Sequence, residues 1–358
     1  MLVIKSNNKY TYNAFNGTIA LLLPVLFLYA CRHKRQHREI EPSFYYWKSV
    51  FKINNIEQAV LDSLKVKTIY IKFFDVNWNE RTKQPEPVAK LISSNYKLPD
   101  SITAIPTVFI TNECLQQMDT AQITGLANNI YSLMQDIINT NSFHSIAEIQ
   151  FDCDWSSTTR DKYFALLKKT KALWQNSAIP VSATIRLHQI KFLEKAGTPP
   201  VDRGLLMCYN MGNVKSTGTS NSILDPAEVR KFSGRIGEYP LPLDVAFPLF
   251  EWKVFFHNND YAGLIKNLPA VSLQSPSILQ KQNNYYFTTD TVINGYHFTK
   301  GDILRNEESS LKDILSTADI ISPKIKNTRC RVALFHLDSL LLNKYSAYEL
   351  ESIYGGLR

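Results

Sequence analysis

The chain has 358 residues, 44% of them hydrophobic and 20% charged, with 40 Lys and Arg against 32 Asp and Glu for a formal charge of +8. The cations are dispersed, with no basic stripe interleaved with aromatics, which argues against nucleic acid as a partner. No CxxC pair occurs among the five cysteines, and neither GxGxxG nor GxxxxGK[ST] is present, so nothing calls for a metal, a nucleotide or another cofactor.

Lys5 and Lys9 precede a short apolar run at residues 17–30 that contains Pro24. The run is too short to span a bilayer comfortably and fits the core of a signal peptide. It ends in Leu28-Tyr29-Ala30-Cys31, which resembles the bacterial lipoprotein cleavage box, with Tyr29 where a small residue is usual. That resemblance implies removal of residues 1–30, lipidation of Cys31 and a cell-envelope location facing the periplasm or the surface. An uncleaved anchor is the alternative. Loss of Lys5 and Lys9 lowers the charge from +8 to +6, and Arg32, Lys34, Arg35 and Arg38 carry much of the remainder. Residues 31–42 therefore read as a basic tether lying against anionic headgroups, which makes the membrane a partner through Cys31.

From residue 43 to 358 strand-like and helix-like segments alternate. Strands are expected at 44–51 (FYYWKSVF), 68–75 (TIYIKFFD), 104–111 (AIPTVFIT), 146–155, 181–187 (VSATIRL), 204–209 (GLLMCY), 244–256 (DVAFPLFEWKVFF) and 331–337 (RVALFHL). Helices are expected at 55–65, 120–138, 159–175, 190–196, 226–232, 310–318 and 347–354, with Ser157 or Thr158 able to cap the third. Eight strands, most followed by a helix, predict a (β/α)8 TIM barrel of the α/β class over an open doubly wound sheet. Residues 257–328 are too many for one crossover helix. Within them 284–305 is β-rich with an Asn294-Gly295 turn, and the segment reads as a small α+β insertion between the seventh and eighth strands. Cys153 and Cys208 fall inside strands between apolar neighbours, as buried thiols do, and nothing demands a disulfide with Cys114 or Cys330.

The fourth strand carries the densest polar pattern. Glu148, Gln150, Asp152 and Asp154 alternate with Ile149, Phe151, Cys153 and Trp155 at the period of a strand, so the acids point one way. Burying neighbouring carboxyls is unfavourable unless they are paired, hydrogen-bonded or free to exchange protons. In a barrel, the C-terminal ends of the strands gather at one mouth. This placement would bring Asp152 and Asp154 together with Arg186 and His188 from the fifth strand, Tyr209 and Asn210 from the sixth, and Glu251 and Trp252 from the seventh. Lys72, Asp75 and Trp78 of the second would join them. Carboxylates, cations, an amide and aromatic platforms together suit a glycan or oligosaccharide, whose hydroxyls need partners and whose ring faces need an apolar surface.

Asp152-Cys-Asp154-Trp155 resembles the fourth-strand D-x-D-W of chitinase-type glycoside hydrolases, and Met207-x-Tyr209-Asn210-x-Gly212 is similar to their sixth-strand M-x-Y-[DN] segment. The resemblance implies a (β/α)8 barrel with an α+β insertion after the seventh strand. It also implies that Tyr209 and Asn210 hold a substrate N-acetyl group. The family continues D-x-D-W-E, with the Glu as general acid, and Ser156 stands there. A hydroxyl cannot protonate a glycosidic oxygen at ordinary pH. The last-strand Trp of the family is missing as well, with Phe335-His336-Leu337-Asp338 in its place. Two mechanisms follow. The reading adopted is a glycoside hydrolase with Asp154 as the general acid, its pKa raised by Asp152 and by burial, and Glu251 as a second carboxylate; the alternative is a barrel that binds glycan without turnover. An envelope interaction protein with no sugar ligand is a third reading.

Overall fold

A computed structural model describes residues 38–358 apart from Asn95 and Asn267. The leader at 1–30, Cys31 and the cations Arg32, Lys34 and Arg35 lie outside the described residues. Eight parallel strands form the centre: β1 (Glu39–Tyr46), β2 (Thr68–Asn79), β3 (Thr103–Ile110), β4 (Ile149–Asp152), β5 (Val181–Arg186), β6 (Arg203–Met207), β7 (Leu243–Pro248) and β8 (Arg329–Phe335). They pair in chain order. β1 pairs with both β2 and β8, which closes the sheet into a (β/α)8 barrel. Among the described residues no helix is long and apolar enough to cross a membrane.

The outer faces of the strands pack on the surrounding helices. Ile149 and Phe151 of the fourth strand, with Cys153 just past it, join Tyr163, Leu166 and Leu167 of the helix Arg160–Trp174 in one continuous apolar core. The inner faces are more polar than the outer ones. Tyr45, Tyr70, Ile105, Leu205 and Met207 fill part of the lumen, alongside buried Gln150, Ser182 and Thr184. At its base Arg331 meets Glu41 at 3.0 Å, Glu148 at 3.2 Å and Asp244 at 3.6 Å. The alternation around Glu148 thus becomes a ladder inside the barrel: Glu148 at the base, Gln150 above it, where it accepts the Tyr45 hydroxyl at 2.6 Å, and Asp152 at the top.

Arg38, grouped with the basic tether in the sequence, is buried, and its guanidinium donates to the carbonyls of Ile325 (2.7 Å), Ser322 (3.0 Å) and Leu357. It ties the start of β1 to the C-terminus, so the folded body begins ahead of residue 43. The apolar run at 244–256 is two strands rather than one. Pro248, which has no N–H for the ladder, closes β7, and Glu251–His257 opens a second sheet. That sheet has five antiparallel strands in the order Asp260–Ile265, Glu251–His257, Ile303–Glu308, Asn284–Phe287, Ile278–Lys281. Its own small core includes Phe287 stacked on Phe298 at 4.3 Å. The Asn294-Gly295 pair makes the turn of a hairpin (Thr291–Ile293 with Tyr296–Phe298), with φ of 48° and 81°, the double left-handed conformation that favours this dipeptide.

Candidate functional site

A cleft of about 1020 Å³ opens at the C-terminal ends of the barrel strands, between them and the insertion. Its floor and sides are aromatic. Trp47 lies 5.5 Å from Phe335, Phe335 lies 5.7 Å from both Tyr209 and Phe250, and Phe250 lies 5.1 Å from Trp252. Leu268, Leu340 and Leu341 make an aliphatic wall. Apolar platforms with convergent polar groups are the usual make-up of a small-molecule site.

Asp152 ends β4 at the bottom of this cleft and is 4% exposed. Its Oδ1 accepts the Thr184 hydroxyl at 2.7 Å. Burial, opposed by the charge of Arg186 and reinforced by that of Asp154, pushes its carboxyl up to about 6. Asp154 lies two residues beyond the strand, half exposed at the rim. Arg186 grips both of its oxygens, Nε on Oδ1 and Nη2 on Oδ2, the latter at 3.1 Å. Burial works against the charge on Arg186, but Asp154 and Asp152 outweigh it and hold the guanidinium above its ordinary pKa. The same guanidinium lies 5.7 Å above the ring of Tyr209.

Tyr209 follows β6. Its ring lines the cleft, and its hydroxyl is sealed from solvent with no hydrogen-bond partner among the described residues. Asn210 takes φ of 55°, a left-handed conformation that Asn tolerates. It presents its side chain to the cleft while its backbone N–H donates to Ile223 at 2.7 Å. Gly212 is required by close packing, because a Cβ there would lie 2.8 Å from the Cα of Ser222. Glu251 and Trp252 line the opposite wall from the first strand of the insertion. Glu251 is paired with Lys344 at 2.5 Å, and the Trp252 indole donates to Glu307 at 2.7 Å.

Not every expected residue reaches the cleft. Trp78 sits on the arm that β2 forms with the strand Gln84–Val88, packed against the outer core. His188 belongs to the short helix Leu187–Lys191 rather than to the strand and is exposed outside the lining, its pKa lowered by burial of the ring. β5 ends at Arg186, one residue short of the predicted end, which turns His188 away. The carboxyl whose pKa burial raises in this cleft is that of Asp152. Ser156 does not line the cleft. Its hydroxyl lies 2.8 Å from that of Thr158 and 3.2 Å from that of Thr159, in the turn that starts the helix Arg160–Trp174.

Several lining residues carried no motif. Trp47 and Phe250 each follow a strand end, and their position just past a strand is the signal that would have found them. Phe335 and His336 close β8 where the family pattern has Trp, and the bond between them is cis. Burial holds the His336 ring down to about 4, with Asp338 resisting. Among the described residues no group of three His, Cys, Asp or Glu side chains is placed to hold a metal ion.

No protein-family model and no curated protein matches the sequence. Solved structures do match. The spore cortex-lytic enzyme SleL of Bacillus megaterium QM B1551 is 13% identical with a TM-score of 0.54, over 89% of this chain and 74% of that one. A chitinase from Chromobacterium violaceum ATCC 12472 is 9% identical with a TM-score of 0.52, over 88% and 98%. A class V chitinase mutant from Cycas revoluta, in complex with (GlcNAc)3, is 10% identical with a TM-score of 0.51, over 88% and 100%. At such identities the likeness establishes the fold. The chain is a (β/α)8 barrel similar in fold to SleL and to these chitinases.

Proposed function

We propose that this chitinase-type barrel binds a glycan in its cleft and does not hydrolyse it. The observation that carries the reading is the state of the two groups nearest to an acid's position. Asp154 has both oxygens committed to Arg186, and Ser156 turns its hydroxyl into a helix start. A carboxylate held by a guanidinium fork acts as an acceptor and is poorly placed to give a proton to a leaving oxygen. The aromatic run from Trp47 to Trp252 and the polar floor of Asp152, Tyr209 and Asn210 remain suited to sugar rings and hydroxyls. The fold neighbour from Cycas revoluta in complex with (GlcNAc)3 supports this class of ligand.

One observation favours a second reading. Asp152, pushed up to about 6, is a cleft-facing carboxyl that still exchanges its proton near neutrality, and a hydrolase built on this barrel would use it as the acid. Calorimetric binding of chitin and peptidoglycan fragments, run beside chromogenic glycosides, separates the two. Binding without turnover is the expected result. Turnover by the wild type that disappears in Asp152→Asn would instead favour the hydrolase. We also propose that Cys31 carries a lipid that holds the barrel at the cell envelope. Metabolic labelling with an alkyne fatty acid should mark the wild type and miss Cys31→Ala.

A further inference from the structure

Among the described residues, Arg186, Lys266 and Lys344 are the Lys and Arg side chains that line the cleft. Two of them are engaged: Arg186 grips Asp154, and Lys344 meets Glu251 at 2.5 Å. Lys266, on the insertion, has no ion-pair partner among the described residues. It stands where two unlike surfaces meet. On one side its charge bears on the ring of His336, the residue that follows Phe335 of the aromatic floor. On the other it lies just before Leu268 and Pro269, which form one part of the aliphatic wall. Leu340 and Leu341 complete that wall from the short helix Ser339–Leu342 after β8. The helix is fixed in place: the Asp338 side chain accepts the N–H of Leu340 at 2.9 Å, and the N–H of Ser339 donates to Glu57 at 3.1 Å. On this fixed element Leu340 is 73% exposed. A single exposed leucine is ordinary. One that continues into a cleft with three more aliphatic side chains, drawn from two separate elements, marks a surface for something apolar. None of the four can take a hydrogen bond, so a sugar laid on them would lose water from its hydroxyls without replacement.

We propose that the cleft takes an anionic glycolipid in which a phosphate joins a saccharide to a hydrocarbon chain, with the saccharide on the aromatic floor, the phosphate at Lys266 and the hydrocarbon along the aliphatic wall. This rests on the carbohydrate-binding reading and narrows it to a class of glycoconjugate. The order of the surfaces sets the order of the ligand. A negative charge placed between a sugar and a hydrocarbon belongs to the group that links them. A phosphodiester stays charged while bonded on both sides, whereas a carboxylate loses its charge when it is esterified into a link. The Lys266 ammonium suits such a group, because lysine binds phosphate as a point charge. An anion entering beside it meets no uncompensated carboxylate on that side, since Glu251 is matched by Lys344 and Asp338 by Lys48 at 3.1 Å. His336 adds no charge at neutral pH, its ring being held down to about 4. Apolar burial is non-directional and grows with the area covered, so an open aliphatic wall serves a flexible chain without fixing its pose.

Four forms of one disaccharide of N-acetylglucosamine test this by calorimetry: its methyl glycoside, octyl glycoside, methyl phosphodiester and octyl phosphodiester. The full-length chain carries Cys31→Ala throughout, so that neither a lipid nor a detergent competes with the probes. The octyl phosphodiester should bind most tightly. Octyl should gain about tenfold over methyl, the effect of burying only about two methylene groups. The phosphate should gain about fivefold at low salt and less at high salt, as screening requires. Lys266→Gln should remove the phosphate gain and keep the octyl gain. Leu340→Ser combined with Leu341→Ser should do the reverse, and unchanged binding of the methyl phosphodiester by that variant shows that it is folded. Lys266 and Leu340 are exposed, so neither single change threatens the fold. Absence of either gain in the parent chain, or a gain that survives its own variant, overturns the proposal while leaving glycan binding intact. Failure of all four forms and of chitin and peptidoglycan fragments to bind overturns the carbohydrate reading and this proposal with it.

Discussion

Arg186 holds both carboxylate oxygens of Asp154, and its plane lies over the ring of Tyr209. Three residues from three successive strand ends are thereby joined across one side of the cleft. The pair decides two things at once. It occupies both oxygens of Asp154, and it leaves Asp152 as the one cleft carboxyl without an ion-pair partner among the described residues.

Removing the guanidinium should be felt two residues away from its partner. Arg186 is the charge that restrains Asp152, while Asp154 raises it. In Arg186→Met the Asp152 carboxyl should therefore titrate above its value of about 6, and carbonyl-carbon NMR titration would read the midpoint. A midpoint that stays put or falls would mean that Arg186 does not bear on Asp152.

Asp152 also gives the fold a pH dependence of stated sign. Its folded-state pKa of about 6 lies above the ordinary carboxylate value. The folded state therefore binds the proton more tightly than the unfolded chain. This contribution is fully present at low pH and is lost as pH rises from about 4 through about 6. A shift of roughly two units corresponds to about 3 kcal/mol. Urea unfolding from pH 4 to pH 7 should show the wild type losing about that much relative to Asp152→Asn. Parallel profiles would sink the assignment.

The base of the barrel depends on Arg331. It is 8% exposed and is the cation shared by Glu41, Glu148 and Asp244, and it also donates to the Tyr70 hydroxyl at 3.1 Å. Arg331→Met leaves buried Glu148 without its counter-charge, while Asp244 keeps Arg203 at 3.3 Å, and stranding a buried carboxylate typically costs about 3–5 kcal/mol. Chemical denaturation should show a loss of this size, and a loss below about 1 kcal/mol would contradict the buried network.

The insertion is joined to the cleft through a second buried pair. Arg305 meets Glu307 at 2.7 Å and donates to the carbonyls of Ser216 and Val214, while Glu307 accepts from Trp252 and Ser222. Glu307→Leu alone strands a buried cation and should cost about 3–5 kcal/mol. Arg305→Met combined with Glu307→Leu should cost less than Glu307→Leu by itself, because both charges are gone. Thermal melts of the two variants make the comparison, and the reverse order would refute it.

The four cysteines Cys114, Cys153, Cys208 and Cys330 are free and buried. Burial pushes all four thiols up, Cys114 to about 11. A thiol disulfide reagent at pH 8 should leave these four unlabelled in the folded chain and label all of them in denaturant, with peptide mass spectrometry assigning the sites.

The sequence by itself determined the barrel and the face on which its site lies. Strand alternation with helices survives any uncertainty about element ends, because it records which side chains avoid water. The period-two pattern from Glu148 to Asp154 placed the polar ladder inside for the same reason. The identity of the acids was legible too, together with the Tyr209-Asn210 segment and the Ser156 substitution. What each of these residues does was decided only by the tertiary structure. Asp154 and Arg186 are 32 positions apart, and no local pattern says that they meet. Nor does any pattern say that Pro248 ends a strand and hands Glu251 and Trp252 to another sheet, or that β5 stops short of His188. A carboxyl's chemistry is set by its desolvation and by the charges around it, and both are properties of the closed barrel. The acidic strand marked the place, and its surroundings made Asp152 the unpaired group there and Asp154 the paired one.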